Sequence, residues 1–378
     1  MPPRPGPPGG IERRRRPRNR EIYIDVFRGL MALVMVQGHV FDHLVRAADR
    51  AQPLYQFQAL FHGSTAPGFL FASGFVAGLP RAPLSLAASV RRARRLVFVL
   101  GAGYFLHVPY FSLWKTANAS PAEKAALFAC DALQVIAVTQ LAVLALQWMV
   151  GRRWVKVAAL GALAILAAGP RVWESGLARR LPTFLGAYVD TSVAPSHFPV
   201  FPFAAFVLAG TAAGAWLGRT DRATRRRRAT RAGTALVAAG LLLAAVLAGD
   251  VPFWTVSPAY ALIRLGALAL LLPLVERTAD VAGRIVPWVA RLGHETLLVY
   301  VLHLVVLFGG VLFHSPLGVL QGRIGFGAAF LVFAVLLPVL YAAASAWHLL
   351  KMRRPHAAWL ALSFVTVLLC WEFVTRPW

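Results

Sequence analysis

Charge and sulfur are what this chain has least of. Of its 378 residues only 14% are Asp, Glu, Lys or Arg, whereas a soluble domain carries about a quarter. That shortfall excludes an ordinary soluble enzyme. Two cysteines, Cys130 and Cys370, exclude a disulfide framework and a thiolate metal centre; both are expected as buried free thiols. The motifs of soluble catalysis are missing as well: there is no Gly-rich phosphate loop ending in Lys, no His-Glu-x-x-His and no Gly-x-Ser-x-Gly. Lysine occurs only at Lys115, Lys124, Lys156 and Lys351, so the basic residues are almost all Arg. A GC-rich coding sequence explains that bias without invoking RNA.

What is present is apolar. Hydrophobic residues make up 58% of the chain and the mean hydropathy is +0.62, which rules out disorder over most of the length. Residues 1–20 are the exception. They are rich in Pro, Gly and Arg and read as a disordered basic tail, leaving 21–378 as one multi-span domain. A bilayer crossing takes about 20 apolar residues. Stretches of that kind fall at 23–45, 61–80, 96–114, 128–149, 155–172, 199–217, 233–249, 258–275, 294–313, 325–346 and 357–374. The fold class expected is an all-α polytopic membrane protein of about eleven transmembrane helices.

The net charge of +24 fits this picture better than nucleic-acid binding, because the basic residues cluster between apolar runs. With the N-terminus in the cytoplasm and the C-terminus outside, 28 Lys and Arg lie in cytoplasmic segments and 9 in outer ones, as the positive-inside rule requires. No internal repeat is visible, which disfavours transporter folds built from two related halves.

Ionisable residues inside a membrane mark function unless a partner explains them. They concentrate in the first span, "YIDVFRGLMALVMVQGHVFDHL". Asp25 and Arg28 are three apart and can pair on one helix face. Arg28 and His39 are eleven apart, almost three turns, so they share a side about 16 Å apart along the axis. Asp42 and His43 lie one turn further out. The stripe therefore runs from an inner Asp–Arg pair to an outer His–Asp–His group, and it must face the bundle interior. Elsewhere, Arg91/Arg94 and Arg92/Arg95 form two Arg-x-x-Arg pairs at the cytoplasmic mouth of the third span, suited to phosphate or simply to anionic lipid. Asp131 and Gln134 stand near the outer end of the fourth span and Arg264 in the outer half of the eighth. His303 lies mid-way along the ninth, and His294 and Glu295 at its start read as a cap. Each of these, taken alone, also fits an interhelical hydrogen bond. No metal site is expected.

Together these residues resemble a known group. "DVFRGLMALVMVQGH" at 25–39 resembles the first-helix signature of the transmembrane acyltransferases, with Arg28-x10-His39 as their Arg-x10-His motif. The group includes the acyltransferase-3 family and the heparan-alpha-glucosaminide N-acetyltransferase-like proteins. "APGFLFASGF" at 66–75, "CDALQVIA" at 130–137, "FPVFPFAAFVLAGTAAG" at 198–214 and "LGHETLLVYVLH" at 292–303 follow in order, and they are closer to the second branch. The resemblance covers roughly residues 20–310. It implies an enzyme of a bacterial inner membrane that takes an acyl group, acetyl by default, from cytoplasmic acyl-CoA. The acceptor is a hydroxyl or amine, often on a carbohydrate, at the outer face. Acyl-CoA enters as co-substrate, with no permanently bound cofactor. By the motif, His39 is the catalytic His, Arg28 its inner partner with Asp25, and His303 a second His. Arg91, Arg92, Arg94 and Arg95 become the element that holds CoA phosphates.

Acyl transfer needs a base for the acceptor proton, and an imidazole titrates in the right range. His39 is the expected base, with Asp42 or Asp131 orienting its ring; a covalent acyl-His intermediate is the alternative. Two other readings of the same residues remain: a transporter or flippase for a glycan or small anion, and a non-catalytic assembly factor. Binding of acyl-CoA separates the first reading from both.

Overall fold

The computed structural model describes residues 22–79, 85–108, 111–247, 254–281, 283, 285–309 and 315–376. The basic tail at 1–20 lies outside them, as do parts of the expected spans at 61–80, 96–114, 233–249 and 294–313. Nearly every described residue is helical. No strand occurs among them beyond one isolated bridge, Val45 to Ile324.

In chain order, α1 Ile22–Leu44, α2 Pro53–His62 and α3 Thr65–Gly78 come first. After α4 Leu86–Phe105 come the short α5 Leu113–Ala117 and α6 Pro121–Leu127. Then α7 Ala132–Met149 and α8 Trp154–Glu174 precede two single turns, α9 Leu177–Arg180 and α10 Thr183–Gly186. The rest are α11 Val200–Leu217, α12 Arg222–Val246, α13 Pro258–Val281, α14 Ile285–His294, α15 Thr296–Phe308, α16 Phe326–Arg353 and α17 Pro355–Thr375. Among these, α1, α7, α8, α11, α12, α13, α16 and α17 are long and apolar enough to cross a bilayer. A ninth crossing results if α14 and α15, bent by 78° at Glu295, count as one.

Each of the eleven expected stretches is helical, but the ends differ. Within 61–80 the helix is the 14-residue α3. At 96–114 the helix starts ten residues early, where the Ser85 hydroxyl accepts the Ala88 N–H at 3.3 Å. The Arg-x-x-Arg pairs therefore sit inside α4, not at a loop mouth. Likewise Asp221 caps α12 through the Thr224 N–H at 3.0 Å, and the run Arg222–Arg231, expected as loop, is helix. The reason is common to both. Arg and Ala are strong helix formers, so a helix continues past the apolar run that marks the bilayer.

Small residues decide how the inner helices meet. Gly74 and Gly78 of α3 face the backbone carbonyls of Val207 and Thr211, and Gly210 and Gly214 of α11 face those of Phe71 and Phe75. Two glycines four residues apart on each helix bring the backbones into contact. Gly29 of α1 and Gly293 of α14 do the same, against Val289 and Asp25. The outermost helices show the opposite. On α17, Trp359, Phe364, Val367 and Trp371 stand exposed, as side chains facing lipid do. Cys370 lies on this helix and is exposed, while Cys130 is buried; both are free thiols. The expectation that both would be buried fails at Cys370, because α17 packs on the bundle along only a narrow edge.

Among the elements that no apolar run announced, α14 lies where a loop was expected and packs on α1, and α2 is the one that reaches the polar end of α1. Tyr55, Gln58 and His62 lie on one face and meet α1, while Leu54, Phe57, Leu60 and Phe61 are exposed on the other. A ten-residue helix with one polar face inward and one apolar face outward fits the edge of a membrane. It closes over the C-terminal end of α1.

Candidate active site

The polar stripe of α1 is met by α15, which runs alongside it. At the inner end, Arg28 Nη2 donates to the Thr296 hydroxyl at 2.5 Å, and Arg28 Nη1 lies 3.8 Å from Asp25 Oδ1. At the outer end, His39 Nδ1 lies 2.7 Å from His303 Nε2, with the rings nearly parallel and their centroids 5.0 Å apart. Eleven residues on α1 against seven on α15 leave an offset of about 6 Å, which the long Arg28 side chain spans.

His303 fixes the proton positions. It is fully buried, and its Nδ1 lies 2.8 Å from the Val299 carbonyl oxygen. A carbonyl only accepts, so His303 Nδ1 carries the hydrogen. With both rings neutral, His303 Nε2 is the acceptor and His39 Nδ1 the donor. The lone pair of His39 is thereby placed on Nε2, and among the described residues no hydrogen bond takes it up. His39 itself is only half-buried. The result is an imidazole held at one nitrogen and available at the other.

A third ring, His62, stands edge-on to His39 with centroids 5.2 Å apart. It occupies the space a side chain at residue 38 would fill, so Gly38 is what admits it. His62 Nε2 is 3.3 Å from Asp42 Oδ2, and Tyr55 donates to Asp42 Oδ1 at 2.7 Å. Among the described residues the buried Nδ1 of His62 has no hydrogen-bond partner. Arg264 secures this corner from α13: it donates to the Ser64 hydroxyl and to the Leu60 carbonyl at 2.9 Å, and packs 4.9 Å from the Tyr260 ring. Arg264 thus holds the α2–α3 junction that carries His62.

Asp131 builds a second group at the start of α7. Its Oδ2 is 3.1 Å from His107 Nε2 and its Oδ1 is 2.9 Å from His197 Nδ1. The loop bearing His197 is pinned there because Phe198 N–H donates to the Cys130 carbonyl at 2.9 Å and Cys130 N–H to Ser196 Oγ at 2.9 Å.

Several expected residues are placed differently. Neither Asp42 nor Asp131 orients His39: Asp42 engages His62 and Tyr55, Asp131 engages His107 and His197, and His303 holds the ring. His43 leaves the stripe, packing on Phe308 with centroids 4.5 Å apart. Successive residues diverge by about 100° around a helix, so Asp42 and His43 cannot both face the site. Gln134 is buried and donates to the Ala129 carbonyl at 3.2 Å, a contact that stitches α7 to its own lead-in. Arg91, Arg94 and Arg95 are exposed on α4, and Arg92 donates to Gln147 Oε1 on α7 at 3.3 Å. Sequence reasoning missed Tyr55, His107 and Thr296 altogether. The only local signal was Tyr55, Gln58 and His62 at helical spacing.

The outer Asp–His group has a pH signature. Burial works to raise the Asp131 carboxyl, but hydrogen bonds from His107 and His197 outweigh it and hold it below the usual carboxylate range. The bond to Asp131 raises His197 above the ordinary imidazole value. A raised folded-state value stabilises fully below the unfolded value of about 6.5, and the contribution is lost as pH climbs through the folded one. The melting temperature is expected to fall over that climb in wild type and to fall less in His197→Ala. Equal slopes would show that the pair carries no folding energy.

A family model described as an acyltransferase domain matches residues 21–343. No curated protein gives a significant match to the chain. The matched segment begins at the foot of α1 and ends within α16, so every residue of the His39, His62 and Asp131 groups falls inside it.

Proposed function

The chain belongs to the acyltransferase-3 family, and from that premise we propose a membrane acyltransferase that uses acyl-CoA, with His39 as its general base. The observation that carries this reading is the His39–His303 contact, which leaves His39 Nε2 as a free lone pair beside a partly open ring. The donor is acyl-CoA, acetyl-CoA by default, entering from the cytoplasmic side of a bacterial inner membrane. The acceptor is a hydroxyl or amine of a glycan-type molecule at the outer face.

The acceptor oxygen or nitrogen attacks the thioester carbonyl carbon while His39 Nε2 takes its proton. The imidazolium that forms keeps donating from Nδ1 to His303 Nε2, so its charge gains a fixed partner as it develops. The C–S bond then breaks, and the CoA thiolate leaves with the proton returned by His39 Nε2. His303 is a positioning residue, held in turn by Val299. Arg28 stands about 16 Å further in, a separation suited to an extended pantetheine arm whose phosphates lie at the cytoplasmic surface. Arg91, Arg92, Arg94 and Arg95 are the candidates for those phosphates.

The test is thermal. A ligand that binds only the folded state at a hundredfold excess over its Kd adds about 2.7 kcal/mol of stability. A non-hydrolysable acyl-CoA analogue is expected to raise the melting temperature of the purified protein by a few degrees. Arg95→Ala is expected to reduce that rise, with Arg92→Ala reducing it too. No rise in wild type would remove acyl-CoA from the account; a full rise in both variants would remove these arginines.

A further inference from the structure

The break between α14 and α15 carries a cluster that the acyl-transfer chemistry does not use. His294 ends α14, Glu295 is the residue at the bend, and His348 reaches them from α16. Glu295 Oε1 lies 3.0 Å from His348 Nδ1 and 3.5 Å from His294 Nδ1. All three ligand-capable atoms fall within 4.8 Å of one another. Lys351 takes the other carboxylate oxygen, Oε2, at 2.6 Å. The Glu295 side chain is 4% exposed, His348 17% and His294 32%.

We propose that His294, Glu295 and His348 bind one divalent transition-metal ion, and that the ion clamps the α14–α15 break to α16. Zinc suits the donor set of two imidazoles and one carboxylate. Tetrahedral bonds of about 2.0–2.2 Å separate neighbouring ligand atoms by roughly 3.3–3.6 Å. The His294 distance to Glu295 Oε1, 3.5 Å, falls in that range, and the His348 distance, 3.0 Å, lies just short of it. The third side, between the ligand atoms of His294 and His348, is at most 4.8 Å and shortens as the ion draws the two rings together. Lys351 fits as an outer partner: a ligating carboxylate is normally hydrogen-bonded through its second oxygen, and Lys351 holds Glu295 with Oε1 toward both rings. Three protein ligands leave a fourth position open.

The location gives the clamp a consequence. Thr296 directly follows Glu295 and holds Arg28. An ion on Glu295 fixes the first turn of α15, and with it the inner end of the α1–α15 pair. This site is independent of how His39 reacts.

The experiment uses the full chain in detergent, purified without a polyhistidine tag and stripped with EDTA. Zinc chloride is titrated by calorimetry. Expected is one saturable equivalent, not displaced by magnesium, with His294→Ala and His348→Gln each weakening binding at least about tenfold. His39→Ala keeps wild-type binding, since the cluster of His39, His62 and His303 is not the site. Absence of a saturable equivalent, unchanged binding in both ligand variants, or loss of binding in His39→Ala overturns the proposal. Should a ligand variant fail to fold, wild-type protein decides by diethylpyrocarbonate labelling. Zinc is expected to protect His294 and His348 from modification, and equal labelling with and without zinc overturns the site.

Discussion

Replacing His39 by alanine is expected to lower turnover at least about a hundredfold, the lower end of what a positioned general base contributes. The loss is expected in kcat, with the KM for acyl-CoA little changed, because the ring acts on the acceptor proton and not on the nucleotide end of the donor. His39→Gln is not expected to recover activity: an amide can accept the hydrogen bond but cannot take the proton. The measurement is the initial rate of label transfer from acyl-CoA in proteoliposomes, with membrane insertion checked on the same preparation. Turnover near wild type in His39→Ala would take this residue out of the chemistry.

His303→Ala is expected to cost almost as much, about a hundredfold, because a reacting group misplaced by about 1 Å loses that order of rate. Without His303 the His39 ring has no fixed acceptor for Nδ1, and the lone pair on Nε2 is no longer the enforced tautomer. His303→Gln presents a carbonyl oxygen at comparable reach and is expected to restore part of the rate. A merely structural His303 would not show that rescue at unchanged melting temperature. The two histidines form one unit, so the double variant His39→Ala with His303→Ala is expected to be no slower than His39→Ala alone. Losses that multiply would mean that His303 acts separately from His39.

The first span shows how much of the site could be read from sequence. Arg28 and His39 fall on one side because eleven residues nearly complete three turns, and the structure places both beside α15. The same arithmetic misled at the outer end. Asp42 and His43 were both assigned to the stripe, yet adjacent residues point about 100° apart, and Asp42 turns to α2 while His43 turns to Phe308. The partner of His39 was legible as a residue but not as a contact. His303 lies 264 positions away, and nothing local selects it over Asp42 or Asp131. Packing selects it: the one buried stripe of α15, Thr296, Val299, His303 and Leu307, runs against the buried side of α1. The Arg pairs of α4 were misplaced for a different reason. An apolar run marks where the bilayer is, whereas helix ends follow caps such as Ser85 and Asp221. The short α2 escaped notice because ten residues with alternating faces are neither an apolar span nor a plain loop. Its three inward residues are what bring His62 beside His39.

The protonation pattern of the His39 ring is the most direct measure of the account. Nitrogen-15 NMR of histidine-labelled protein in lipid, with His39 assigned by its loss in His39→Ala, reports which nitrogen bears hydrogen. At neutral pH the predicted result is hydrogen on Nδ1 and a bare Nε2, with His303 protonated on Nδ1 as well. A His39 ring carrying its hydrogen on Nε2, with Nδ1 bare, would contradict the claim that this nitrogen accepts the acceptor's proton.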